Sequence, residues 1–192
     1  MTTSVESVRS ALEMDHPLDK VESHLHPEGS LDPEFFEIPS GREEIWRFTP
    51  LKRLLGIHAD APLDGDNCKV SVTAAEGVTV KQISADDSSR GSSGYVPRDR
   101  VSARAWSATK LGHLVEIPIE AEPTGVTLVG IHGESLSTAS AGHLVIKAGR
   151  FSKAVVVVRF TGSAVLADNV EIIVEDGAQL TVVSVQDWAD DA

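Results

Sequence analysis

Three groups of side chains in the sequence are of kinds that do chemistry: seven histidines, one cysteine and a large set of carboxylates. The tightest histidine cluster is His24-Leu25-His26, followed by Glu28. On an extended segment both imidazoles would face one way, and His–carboxylate sets bind zinc. The setting is acidic and broken by prolines, which reads better as a solvated linker than as a metal site. His16, His58, His113, His132 and His143 are scattered, and His132 and His143 share no repeat position. Cys68 lies in Asp64-Gly65-Asp66-Asn67-Cys68-Lys69. A nucleophilic thiol needs a lowered pKa and a paired base. The neighbouring acids oppose a thiolate, so an inert thiol is expected. One cysteine makes no internal disulfide and cannot alone hold zinc or an iron–sulfur cluster. Asp168, Glu171, Glu175, Asp176, Asp187, Asp190 and Asp191 could in principle supply the two carboxyls of a glycosidase. They fall mostly at expected turns and strand exits, where acidic residues serve the backbone, and a solvated face is the simpler reading. Neither G-x-x-x-x-G-K nor G-x-G-x-x-G occurs. No catalytic, cofactor-binding or metal-binding residue is assigned from the sequence.

A different kind of motif runs through Gly41-Arg42-Glu43-Glu44-Ile45-Trp46-Arg47-Phe48-Thr49-Pro50-Leu51. Ser40 and Glu43 have capping-box spacing, and Thr49 precedes a proline that a first helical turn tolerates. Leu51, Leu54 and Leu55 form an apolar face, and Gly56 stands where a C-terminal glycine belongs. The pattern predicts short helices over 42–48 and 50–55, with Trp46 and Phe48 able to dock them on a body. Arg42, Glu43, Glu44, Trp46, Arg47 and Phe48 also suit a docking element for a partner protein, since Trp and Arg are enriched at interface hot spots.

The elements that must carry these residues change along the chain. With 17 basic and 29 acidic residues, the net charge is −12. That balance excludes a nucleic-acid binder and attraction to an anionic membrane. The longest strictly aliphatic run, Ala154 to Val158, is far short of the roughly 20 residues that span a bilayer. The first residues have neither a basic nor an apolar signal region, so a soluble cytoplasmic protein is expected. Residues 1–40 are acidic and helix-prone, with Thr3 and Glu6 at capping-box spacing ahead of Val5, Val8 and Leu12. Val70, Val72, Val78, Val80 and Ile83 suggest two strands. Residues 84–94 hold five serines and two glycines and read as a mobile loop.

From about residue 111 the chain is mainly β. Between His143 and Trp188 there are eleven valines and three isoleucines. Ile117, Ile146 and Val174 recur at steps of 29 and 28, as do Val126, Val155 and Val183, and Ile131, Phe160 and Trp188. A hairpin sandwich has no reason to keep such a step. A coil of parallel strands stacks like positions on its successive turns. The expectation is a parallel β-helix over residues 111–192, after a helical and mixed region over 1–110, with these residues as its core stack. Corners are expected at Gly149 and Gly177, with Glu120 at the matching place in the first unit. The next partner of Leu136 and Val165 would fall at position 193, so the sequence reads as a fragment that leaves a strand edge open to self-association.

Arg42-Glu43-Glu44-Ile45-Trp46-Arg47-Phe48-Thr49-Pro50-Leu51 resembles the segment that opens SufD proteins of the SUF iron–sulfur assembly system. Val115-Glu116-Ile117-Pro118 resembles that family's first core strand, and the stretch from Asn169 to Trp188 resembles the shared SufB/SufD core. The resemblance is to the N-terminal half of the family. It implies a right-handed parallel β-helix and a non-catalytic scaffold that works with SufB-like and SufC-like subunits. The iron–sulfur cluster would be handled by the full complex, and this chain alone would bind none. The alternative from another class is a carbohydrate-binding or carbohydrate-active β-helix. It would need aromatics along a groove, and the chain has only three Trp, one Tyr and five Phe.

Overall fold

The structure is a computed structural model and describes residues 28–190. The expected helix after Thr3 and the His24/His26 pair lie outside the described residues. Three short 3₁₀ segments come first, Pro33–Phe35, Glu44–Trp46 and Leu51–Leu54. Then follow β1 (Cys68–Thr73), β2 (Thr79–Ser84), α1 (Arg100–Ala108), β3 (Leu111–Ile117), β4 (Val126–Ala148), β5 (Lys153–Val174) and β6 (Gln179–Trp188). The fold is mainly β, and the strands form one mixed sheet.

β4 and β5 run for 23 and 22 residues, against roughly 5–6 for an ordinary strand. Each does two jobs along its length. The first half of β4 lies between antiparallel β1 and parallel β5, and its second half between parallel β3 and the rest of β5. β6 then pairs parallel with the first half of β5. β2 pairs antiparallel with β3, so β1 and β2 extend different strands rather than each other.

The register departs from one uniform step. Val126 to Ser135 pair with residues 29 further on, Val155 to Ala164. After a shift between Ser135 and Ala139 the step is 26, from Ala139↔Val165 to Ala148↔Val174, and it stays 26 from Lys153↔Gln179 onward. Val126 therefore does face Val155, and Ile131 faces Phe160. Ile117 instead meets Ala148, Ile146 meets Ile172, Val155 meets Thr181 and Phe160 meets Gln186. Shifts of two keep a residue on its face, because side chains alternate with period 2.

Which face is inward is a second difference. The core is built from Val115 and Ile117 of β3, Val129, Ile131, Leu144 and Ile146 of β4, and Ala154, Val156, Val158 and Phe160 of β5. Val126 and Val183 of the expected stack are exposed and Val155 is half-buried on the outward face, whereas Val174 stacks on buried Ala148 and is exposed because no described strand follows beyond that half of β5. The run Ala154 to Val158 is apolar at every position, so no alternation marks its inner side. Trp188 is half-buried, opposite Gly162 in register, and packs on Phe160 with ring centroids 5.5 Å apart.

The corners also stack. Glu120, Phe151 and Gly177 all have positive φ (59°, 59° and 71°). The Glu120 N–H donates to Arg150 O at 2.8 Å and the Phe151 N–H to Asp176 O at 3.0 Å, so each turn is hydrogen-bonded to the next. Phe151 is thus the middle counterpart of Gly177, whereas Gly149 lies one step past the Ala148↔Val174 pair. Gly149 is small for another reason: a Cβ there would come within 2.8 Å of the Ile119 nitrogen.

α1 covers the outer face of β4 and β5. Asp99 caps it, its carboxylate accepting the Ser102 N–H at 2.9 Å, and Ala103 and Ala105 are fully buried. Two arginines of α1 hold the preceding segment. Arg100 is buried and donates to Pro33 O (2.7 Å), Phe36 O (3.2 Å), Glu34 (2.9 Å) and Asp60 (3.0 Å). Arg104 donates to the carbonyls of Ile57 and Ala61.

Candidate functional site

The 40–56 motif forms where the spacing places it, in tighter geometry than expected. Both short helices are 3₁₀ rather than α, and the second ends with Leu55 and Gly56 at positive φ (48° and 87°). Glu43 turns back on its own entry: its carboxylate accepts the N–H of Ser40 at 3.0 Å, the Ser40 hydroxyl at 2.7 Å and the Gly41 N–H at 2.9 Å. These bonds, the Ser40 hydroxyl foremost, lower its pKa to about 2. Trp46 turns toward the body, where with Phe36, Pro39 and Arg100 it borders a cavity of 150 Å³. Phe48 faces outward instead, 86% exposed, with the Arg47 guanidinium 5.5 Å from its ring centre. Arg47 also meets Glu44 at 4.0 Å, and Ile45 and Leu55 are exposed beside them. Lys52 and Arg53 follow, so the surface is apolar with a basic margin on a chain of net charge −12. Among the described residues, Arg42 makes only a long backbone N–H bond to the Ser40 hydroxyl, at 3.4 Å.

A second constellation is buried, and the sequence reading missed it. Glu171 was expected on a solvated face. Its side chain is fully enclosed under α1 and the 84–94 loop. It accepts from His143 Nε2 at 2.8 Å, the Gly91 N–H at 2.7 Å, and the Ser93 N–H and hydroxyl. Burial pushes the Glu171 pKa up, but the bonds from Ser93, Gly91 and His143 outweigh it and hold the carboxyl below its ordinary value. Burial pushes His143 down, against the opposing pull of Glu171, so a neutral imidazole faces a carboxylate. The imidazole packs edge-on to Trp106 at 5.0 Å, and Arg90 lies 4.5 Å from the Trp106 ring centre. Arg90 ties the loop down through the carbonyls of Ala85 (2.9 Å) and Trp106 (2.9 Å). The loop that reads as mobile is therefore anchored, because a buried carboxylate recruits its N–H groups. One clue was in the spacing: His143 and Glu171 are 28 apart, within the observed range of steps between turns.

This cluster has the residue types of a catalytic triad in the wrong order. The Ser93 hydroxyl donates to the carboxylate rather than to the imidazole, so nothing activates it as a nucleophile. Cys68 is half-buried, and burial first, then the charges of Asp168, Asp66 and Glu134, raise its pKa against a bond from Ser140. It is held as a thiol. Among the described residues no three His, Cys, Asp or Glu side chains are grouped to hold a metal ion, and no helix is long and apolar enough to cross a membrane.

The third feature is the sheet margin. β6 pairs on one side only among the described strands. The second half of β5, residues 165–174, likewise pairs only with β4 among the described strands. Val183 on β6 and Val170, Ile172 and Val174 on that half of β5 are exposed, between 41% and 50%.

The segment from the middle of β4 through β6 is also what known proteins share with this chain. The family described as SUF system FeS cluster assembly, SufBD core domain, matches residues 131–192. An iron–sulfur cluster assembly SufBD family protein of Mycobacterium leprae is 39% identical over 162 residues, covering 84% of this chain and 41% of the relative. One from Mycobacterium bovis is 39% identical over 178 residues, covering 89% of this chain and 44% of the relative. The chain thus spans less than half the length of these curated relatives. No solved structure matches it significantly. The parallel strands, the matched core and the similarity running across most of the sequence lead to one assignment: the chain belongs to the SufB/SufD superfamily of iron–sulfur cluster assembly proteins.

Proposed function

We propose that this chain is a SufD-like, non-catalytic scaffold piece of a cytoplasmic SUF assembly, acting with SufB-like and SufC-like subunits. The observation that carries the reading is a coincidence of boundaries. The SufBD core match covers residues 131–192, and the same residues supply most of the in-register parallel pairing of β4, β5 and β6. The tryptophan motif at 42–51 favours the SufD branch. Strands that return every 26–31 residues, with turns bonded to turns, support a parallel β-helix, right-handed as the family resemblance implies. A scaffold works by holding partners in register through backbone edges and buried anchors. This chain has both kinds of surface, in the β6 margin and in Phe48 with its basic rim. The iron–sulfur cluster is then cargo of the assembled complex, and the chain alone binds none.

The test has two arms. Tagged full-length chain, expressed in a native cytoplasm, is expected to co-purify with SufB-like and SufC-like subunits. After anaerobic reconstitution with iron and sulfide, the isolated chain is expected to show no stoichiometric cluster absorption between 300 and 500 nm (roughly the thiolate-to-iron charge-transfer region). A stoichiometric cluster on the chain alone would overturn the reading, as would the absence of both subunits from the captured material.

A further inference from the structure

β4 runs unbroken around its bend, but the layer beside it does not. On that side β1 begins at Cys68, opposite Gly133, while the paired part of β3 begins at His113, opposite Leu144. Between these points, among the described residues, β4 is met on that side only by the loop before β1, through a bridge from Gly65 to Ser140 and bonds from Asn67 to Thr138 and Ser140. The interruption leaves an opening into the space between the two halves of the sheet. A cavity of 320 Å³ lies there, at the small end of the roughly 300–1,000 Å³ usual for small-molecule sites.

Its lining is divided. Val129, Ile131, Leu144 and Leu166 form apolar walls. Asp168, His113, Cys68 and Gln82 supply polar groups. The charges are unbalanced. Lys69, the one lysine or arginine on the lining among the described residues, is bound to Asp66 at 3.1 Å and to the Asp66 carbonyl at 3.0 Å. Asp168 has no ion-pair partner among the described residues; burial raises its pKa, opposed only by a hydrogen bond from its own backbone N–H. A carboxylate withdrawn from water without a counter-charge is costly, and a cation placed beside it offsets that cost. Cys68 and His113 add no positive charge: burial raises the thiol's pKa and lowers the imidazole's.

We propose that this cavity binds a small organic cation, with an ammonium or guanidinium head on Asp168 and an apolar body against Val129, Ile131, Leu144 and Leu166. The occupant is a compact amphipathic amine. An anion would meet the Asp168 carboxylate and be rejected, and a neutral molecule of the same shape would gain only the apolar contact. The inference is independent of the scaffold role.

The experiment is a titration of the full chain at pH 7 with three probes of one shape: benzylammonium, benzyl alcohol and benzoate. Binding is followed by NMR shifts of the amides around the cavity and by the rate at which iodoacetamide alkylates Cys68. Benzylammonium is expected to saturate, to slow alkylation at least threefold, and to bind at least tenfold more tightly than benzoate. Asp168→Asn is expected to weaken benzylammonium about tenfold while leaving benzyl alcohol unchanged. Equal binding of the ammonium and the carboxylate by the unmodified chain would overturn the proposal. So would saturation that leaves the cavity amides and the alkylation rate unmoved. The probe series on the unmodified chain decides the matter even if Asp168→Asn fails to fold.

Discussion

Glu171 keeps its charge where no water reaches it, and the donors that make this tolerable belong to two separate parts of the chain: Gly91 and Ser93 in the loop, and His143 on β4. Removing the acceptor leaves all of them unsatisfied. Glu171→Ala is therefore expected to cost about 3–5 kcal/mol of unfolding free energy, read as a lowered urea midpoint. The same pair sets a pH dependence. Both groups have folded pKa values below their unfolded ones. The unfolded chain then binds protons that the folded chain refuses, so stability rises with pH. Acidification should first erode stability below about 6.5, as His143 and the similarly shifted His113 resist protonation, and again below about 4.3 as Glu171 does. His143→Gln should flatten the stability profile between pH 7 and 5. An unchanged slope would show that His143 is not a source of it.

At the scale of elements, the bend of β4 and β5 depends on the close approach of two glycines. Gly162 has φ +75°, and a Cβ there would lie within 3 Å of the Gly133 carbonyl and the His132 ring. Gly77 has φ +81° with open space around it. Gly162→Ala is expected to lose about 2–3 kcal/mol, from strain and backbone displacement together, whereas Gly77→Ala should lose about 1 kcal/mol from strain alone. Chemical denaturation of the two variants side by side checks this. The sequence showed the parallel recurrence because Val126, Leu128 and Ile131 do pair with the valines and phenylalanine 29 residues later. It hid the change of step to 26, since residues skipped at a corner leave no mark in composition. It hid the inward face as well, because Ala154 to Val158 offers no polar partner positions to read against. α1 escaped for the opposite reason: its buried face is Ala103 and Ala105, too small to stand out from a polar helix, although Asp99 and Ser102 carried its cap. The Glu171 site could only be found by joining residues from the loop, β4 and β5, and a linear reading treats an acid in a strand as solvated by default.

For the whole molecule, β6 and the second half of β5 each pair on one side only among the described strands, and Val170, Ile172, Val174 and Val183 are exposed on them. Strand margins of this kind pair with other chains unless charge or cover prevents it. The chain is expected to associate with itself as concentration rises, seen by light scattering as a growing mass. Val183→Lys, on the exposed side of β6, should shift that association to at least severalfold higher concentration. A constant monomer mass for the unmodified chain would count against an available margin. Elsewhere the architecture is forgiving. Leu136, Ser137 and Thr138 lie between the two registers of β4 and pair with no residue of β5. Thr138 is occupied in holding Asn67, and Ser137 is exposed. Extra residues at Ser137 would therefore lengthen a bulge without sliding either ladder. That corner is a place where an epitope tag or a fluorescent reporter could be grafted, marking the protein inside its complex while the stacked strands on both sides keep their alignment.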